Sequence, residues 1–212
     1  MVAFSPAAIT VDDRAVLPER MQIAAQKYLR SEDRIRYLSV RVLLRRVLVD
    51  IFQLSPDAFD MLTKTELGQP VLGGGYPCIS ITHSGPLVAC AVSPHPLGID
   101  LECGPVIDLK SCLNALPPFL AKEICDSVNP DQAFLEYWTR IESALKGTGL
   151  GFLCPLDGLR VADGLITVNN QCWYTRKLDL QDTRCVCHLA TLQPASITMF
   201  HASDSHLKHY HS

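Results

Sequence analysis

The fold class predicted for this chain of 212 residues is α+β, built as two halves of similar size. Two observations support it: helical periodicity followed by short β runs over the first hundred residues, and the same helices-then-strands order repeated from Phe119 onward.

Leu17 to Leu29 reads as a short helix. A longer one is expected from Glu32 to Phe52 with Ser31 as its N-cap, since a serine hydroxyl can accept from the orphan N–H groups of a first turn. Within it Tyr37, Val40, Leu43, Leu44, Val47, Leu48 and Ile51 fall on one broad arc. Arg34, Arg41 and Arg45 cluster opposite, as a solvated face or a docking face for an acidic partner. Strands are expected at Phe59 to Thr63, Cys78 to Thr82, Val88 to Val92 and Leu97 to Glu102, with turns at Gly73-Gly74-Gly75, Ser84-Gly85-Pro86 and His95-Pro96 between them. The second round has helices near Phe119 to Ser127 and Asp131 to Lys146. Strands follow around Leu159 to Val161, Leu165 to Val168, Cys172 to Leu178, Val186 to Leu192 and Ile197 to Phe200. The expected division gives an N-terminal subdomain over 1–104 and a C-terminal one over 105–212, with a ligand cleft between them.

Bulk charge narrows the function. Lys and Arg total 19 against 22 Asp and Glu, a net charge of −3, which argues against general binding to nucleic acid or a membrane surface. Any phosphate site must be local. Nine cysteines show no pair with the two-residue gap of common zinc sites, so they are expected to be reduced, buried small hydrophobes. The stretch from Met1 to Val16 mixes Asp12, Asp13 and Arg14 into its apolar residues, unlike a signal peptide, and the expected location is cytoplasmic. His201, His206, His209 and His211 crowd the last twelve residues, expected as a frayed tail.

Three segments carry chemistry. In Leu97-Gly98-Ile99-Asp100-Leu101-Glu102, alternation sends Gly98, Asp100 and Glu102 to one face. Two adjacent carboxylates there either meet water or share a hard cation such as Mg²⁺. Helical spacing then places Trp138, Glu142 and Lys146 on one stripe, where the last two form a surface pair, or a cation and a carboxylate beside a phosphate. Finally, Ile79 to Gly85 ends an apolar strand in Thr82, His83, Ser84 and Gly85, either a strand-capping turn or an anion-holding one. Arg36 borders the apolar arc of the long helix and needs a phosphate or an internal acid as partner.

In order, these segments resemble the Sfp-type 4'-phosphopantetheinyl transferases. The matching stretch begins at Glu32-Asp33-Arg34-Ile35-Arg36, continues through Gly68-Gln69-Pro70 and Ile81-Thr82-His83-Ser84, and reaches Gly98-Ile99-Asp100-Leu101-Glu102. It ends at Trp138-Thr139-Arg140-Ile141-Glu142-Ser143-Ala144-Leu145-Lys146-Gly147. Each motif is weak singly; the ordered set is specific. The resemblance implies a pseudo-dimer of two α+β subdomains in one chain, acting as a monomer. It implies that Asp100, Glu102 and Glu142 bind Mg²⁺ with the pyrophosphate of coenzyme A, which Lys146 also contacts. Arg36, Thr82 and His83 would hold other coenzyme A phosphates, with Arg20 as a further basic residue from the first helix. Three positions depart from the family pattern: Gln69 replaces a basic residue, Ile141 a lysine, and Thr82 a serine.

The reaction so implied moves the 4'-phosphopantetheine group from coenzyme A to a serine of an acyl or peptidyl carrier protein, with Glu142 as base and Lys146 on the leaving phosphate. Two other readings stand beside it. One is a non-catalytic module that binds a carrier protein or coenzyme A. The other is a different Mg²⁺-dependent phosphoryl transferase or hydrolase.

Overall fold

The computed structural model describes residues 1–8, 10–151, 156, 158–180, 182–203 and 206–210, with backbone alone at 203 and 206–210. The fold is α+β. Chain order runs β1 (Val2–Pro6), α1 (Val11–Ala15), α2 (Glu19–Ala25), α3 (Ser31–Arg46), a π turn at Val47–Ile51, α4 (Pro56–Asp60), β2 (Thr63–Lys64), β3 (Pro70–Val71), β4 (Cys78–Ser84) and β5 (Leu87–Ser93). Then come β6 (Leu97–Cys103), α5 (Leu109–Leu113), α6 (Pro118–Cys125), α7 (Pro130–Thr148), β7 (Arg160–Ala162), β8 (Leu165–Val168), β9 (Gln171–Lys177) and β10 (Cys185–Thr191). The last strands are β11 (Met199–Ser203) and β12 (His206–Tyr210).

Packing separates two compact units, Met1–Pro94 with Ser196–Ser212, and His95–Ala195. Among the described residues the first unit holds a five-stranded sheet in the order β12-β11-β1-β5-β4. Here β1 lies parallel to β11 and antiparallel to β5. Helix α3 packs on β5, β1 and β4, and the arc of Tyr37, Val40, Leu43 and Leu44, continued by Val47 and Leu48 of the π turn, is buried as the periodicity requires. The second unit has a five-stranded antiparallel sheet in the order β6-β10-β9-β8-β7, with α7 laid mainly on β6 and β10. Leu120, Ile124, Phe134, Ile141, Leu145 and Trp173 build its core.

Several expectations change. Strand β6 pairs along its whole length with β10, so Gly98 to Glu102 belongs to the second unit, whereas the 1–104 and 105–212 division put it in the first. A strand's own sequence does not name its partner, and this one lies 82 residues downstream. The expected strand at Phe59 to Thr63 begins instead as the end of α4 and reaches β2 only at Thr63; Ser55 caps α4, accepting from the Asp57 N–H, and Pro56 starts it. Ser31 opens α3 as its first helical residue and Arg30 takes the cap position. The expected histidine tail is strand where it is described, His201 in β11 and His206 and His209 in β12, which pair antiparallel; His211 and Cys154 lie outside the described residues.

The thiols are not all reduced. Cys103 and Cys185 form a disulfide across the first rung of the β6–β10 ladder, with Cα atoms 4.1 Å apart. Sequence spacing could not suggest it, because the ladder alone brings the two residues together. No helix among the described residues is long and apolar enough to cross a membrane.

Candidate active site

Gly98 is the foundation of the site. A Cβ there would stand 1.9 Å from the Ser143 carbonyl oxygen and 2.5 Å from the Gly147 backbone nitrogen, so the bare glycine lets α7 lie directly on β6. Gly147 makes the matching allowance on the helix, where a Cβ would meet the Trp173 ring at 2.5 Å. The alternation of β6 then turns Asp100 towards α7, while Ile99 and Leu101 are fully buried on the opposite face.

Asp100 is buried, and the Lys146 ammonium donates to its Oδ1 at 2.6 Å. Glu142 lies one helical turn before Lys146 and is half-buried. Burial and then the nearby Asp100 charge push its carboxyl up to about 7; Lys146 opposes the rise and Glu102 adds to it. Three carboxylates and one ammonium therefore share one electrostatic neighbourhood within the second unit. Among the described residues, no three His, Cys, Asp or Glu side chains converge as a ready-made metal site.

The other expected residues lie in the first unit. Thr82 is buried on β4, and His83 beside it is exposed. Arg36 on α3 reaches the turn after β4, where its Nε donates to the Gly85 carbonyl at 2.9 Å. Its guanidinium also holds Asp33 at 2.6 Å, an internal acid as one of the two alternatives required. Arg20 on α2 donates to the carbonyls of Leu62 and Asp60.

Arg20 also lines a cavity of about 420 Å³ together with Lys27, Arg41 and Lys64, and no acidic side chain lines it among the described residues. Arg41 is the correction here. Expected with Arg34 and Arg45 on a solvated or docking face, it is buried instead, its guanidinium 3.3 Å above the Tyr37 ring and donating to the Tyr37 carbonyl. Helical periodicity located the arc but not its width, and Arg41 falls inside it.

Several known proteins are similar to this chain in sequence. No family model matches the chain. It is 29% identical over 138 residues to the 4'-phosphopantetheinyl transferase gsp of Aneurinibacillus migulanus, covering 64% of this chain and 57% of that protein. It is 27% identical over 191 residues to the 4'-phosphopantetheinyl transferase Sfp of Bacillus subtilis, covering 84% and 77%. It is 31% identical over 151 residues to the 4'-phosphopantetheinyl transferase HetI of Nostoc sp., covering 65% and 61%. The chain is thus similar to 4'-phosphopantetheinyl transferases over 64 to 84% of its length. The matched stretches span less than two thirds of the first and third of these relatives.

Within the transferase family pattern, Ile141 stands where a lysine is usual and is fully buried in the core of the second unit, so it packs rather than binds. Gln69 precedes β3 and its carbonyl accepts from the Thr65 N–H. Two polar residues near the carboxylates escaped notice in the sequence. Thr139 and His188 are both buried and joined by a 2.8 Å hydrogen bond, and only the register of β10 on β6 could have pointed to His188.

Proposed function

We propose that this protein transfers the 4'-phosphopantetheine group of coenzyme A to a serine of an acyl or peptidyl carrier protein, releasing 3',5'-adenosine bisphosphate. The observation that carries the proposal is the Lys146–Asp100 pair with Glu142 one turn away, its carboxyl pushed up by burial and by Asp100. The two units, each a five-stranded sheet with one long helix, support the further proposal that the chain is a pseudo-dimer of subdomains working as a monomer.

Asp100, Glu102 and Glu142 suit a divalent cation such as Mg²⁺ because all three offer oxygen and their combined negative charge exceeds what Lys146 offsets. That surplus is part of what lifts Glu142. When bound, the ion would neutralise charge on the phosphoryl oxygens. Lys146, 31% exposed, can turn from Asp100 to the bridging oxygen that leaves with the adenosine bisphosphate. The serine oxygen forms a bond to the β-phosphorus as the bond to that bridging oxygen breaks, and Glu142 takes the serine proton. A carboxylate raised towards neutrality is a better base than an ordinary one. Arg36, Thr82 and His83 are assigned to the other phosphates, with Arg20 at the cationic cavity. The proposed setting is the cytoplasm.

Intact mass of a carrier protein, after incubation with coenzyme A and Mg²⁺, should rise by one phosphopantetheine group. An unchanged carrier, with phosphopantetheine released to water, would make the protein a hydrolase instead. Glu142 supplies a second check. The folded carboxyl keeps its proton up to about 7, against 4.5 ordinarily, so the metal-free protein loses stability as pH rises through that window. Binding Mg²⁺ requires the proton to leave, so thermal stabilisation by Mg²⁺ should be larger at pH 8 than at pH 5. Equal Mg²⁺ shifts in Tm at both pH values would remove Glu142 from the ion's ligands.

A further inference from the structure

His188 occupies a costly place. On β10 it shares a face with Val186 and Ala190, its cross-strand partner on β6 is Asp100, and all four are buried at 4% exposure or less. An imidazole buried within a sheet loses hydration and needs a partner. It finds one on the helix: its Nδ1 lies 2.8 Å from Thr139 Oγ1, which is itself fully buried. The Thr139 hydroxyl has one proton, and the Leu135 carbonyl at 2.7 Å takes it. The Thr139 oxygen therefore accepts, and Nδ1–H of His188 donates. Burial lowers the imidazole to about 4, with Glu136 opposing and Arg140 and Lys177 adding to the fall, so the ring is neutral at physiological pH.

We propose that the His188–Thr139 hydrogen bond is a positioning device for the transfer reaction, fixing where α7 rests along β10 and so where Glu142 and Lys146 meet Asp100. Both ends stand next to the site. His188 is the register partner of Asp100, and Thr139 precedes Glu142 by three residues and Lys146 by seven. The apolar contacts beneath α7, from Ile141, Ala144 and Leu145, draw the helix to the sheet but are non-directional. A hydrogen bond is directional and sets the axial position. Displacements of about 1 Å in a reacting constellation can cost on the order of 10²-fold in rate.

The inference rests on the transferase reading, so its test has one arm that is independent of activity. His188→Leu removes the donor and leaves Thr139 satisfied by Leu135, so the unit should fold. The expected result is a fall in kcat of about tenfold or more and Mg²⁺ affinity, by calorimetry, weakened at least about threefold, with KM for the carrier unchanged. His188→Asn, whose amide can donate from nearly the Nδ1 position, should recover most of both. Thr139→Val should repeat the loss and Thr139→Ser should not, which decides the matter if His188→Leu fails to fold. Wild-type kcat and Mg²⁺ affinity in a folded His188→Leu or Thr139→Val protein would overturn the proposal. Equal losses in the Leu and Asn variants would overturn it as well, because the ring would then act through something other than its donor. A wild-type protein that binds Mg²⁺ but does not transfer would sink the functional reading alone, and calorimetry would still decide the role of His188. A wild-type protein that neither transfers nor binds Mg²⁺ would sink both.

Discussion

Asp100→Ala should lower phosphopantetheine transfer by roughly 10²- to 10³-fold or more, the loss that follows when one preorganised charge is removed from a phosphoryl or acyl transfer site. The physical ground is double. Asp100 is the buried acid that holds Lys146 at 2.6 Å, and its charge is the largest lift on Glu142 after burial. Without it the ammonium loses its anchor and the Glu142 carboxyl becomes a weaker base. The fold should survive, because Lys146 is partly exposed and can return to water rather than remain a buried unpaired charge. The comparison is intact-mass transfer rate against thermal midpoint. A folded Asp100→Ala protein that transfers at the wild-type rate would remove the residue from the mechanism.

The second large effect is expected from the smallest change. Gly98→Ala adds one methyl group at a point where two backbone atoms of α7 stand at 1.9 and 2.5 Å. Neither is the end of a flexible side chain, so the helix itself has to lift from the strand. Overpacking of this kind costs about 1 to 3 kcal/mol where side chains can yield, and a backbone clash belongs at or above the top of that range. For a protein of this size that corresponds to a fall in Tm of about 6 °C or more. Transfer should disappear along with it, since Glu142 and Lys146 ride on the displaced helix. Calorimetry on Gly98→Ala beside the wild type tests this directly; an unchanged Tm would mean that α7 does not rest on β6 as described.

Part of this site was legible in the residues themselves. Period-two alternation in Leu97 to Glu102 placed Gly98, Asp100 and Glu102 on one face, and helical spacing aligned Glu142 with Lys146; the contact between Lys146 and Asp100 joins those two readings. The inward packing of Ile141 followed from the same periodicity. The failures were of another kind. Arg41 is expected opposite the apolar arc, yet its long side chain is buried against an aromatic ring. Phe59 to Thr63 looked like a strand because of its apolar residues, while the capping serine and proline just before it started a helix.

From the sequence alone came the chemical groups and the local faces on which they stand, since alternation and helical repeat act over a few residues and need no knowledge of what lies opposite. Pairing was decided by the tertiary structure: β6 with β10, Cys103 with Cys185, His188 beside Asp100 and bonded to Thr139. Such contacts join residues between 49 and 94 positions apart. They form only when a whole sheet and the helix upon it bury their apolar faces together, so no short stretch of residues encodes them.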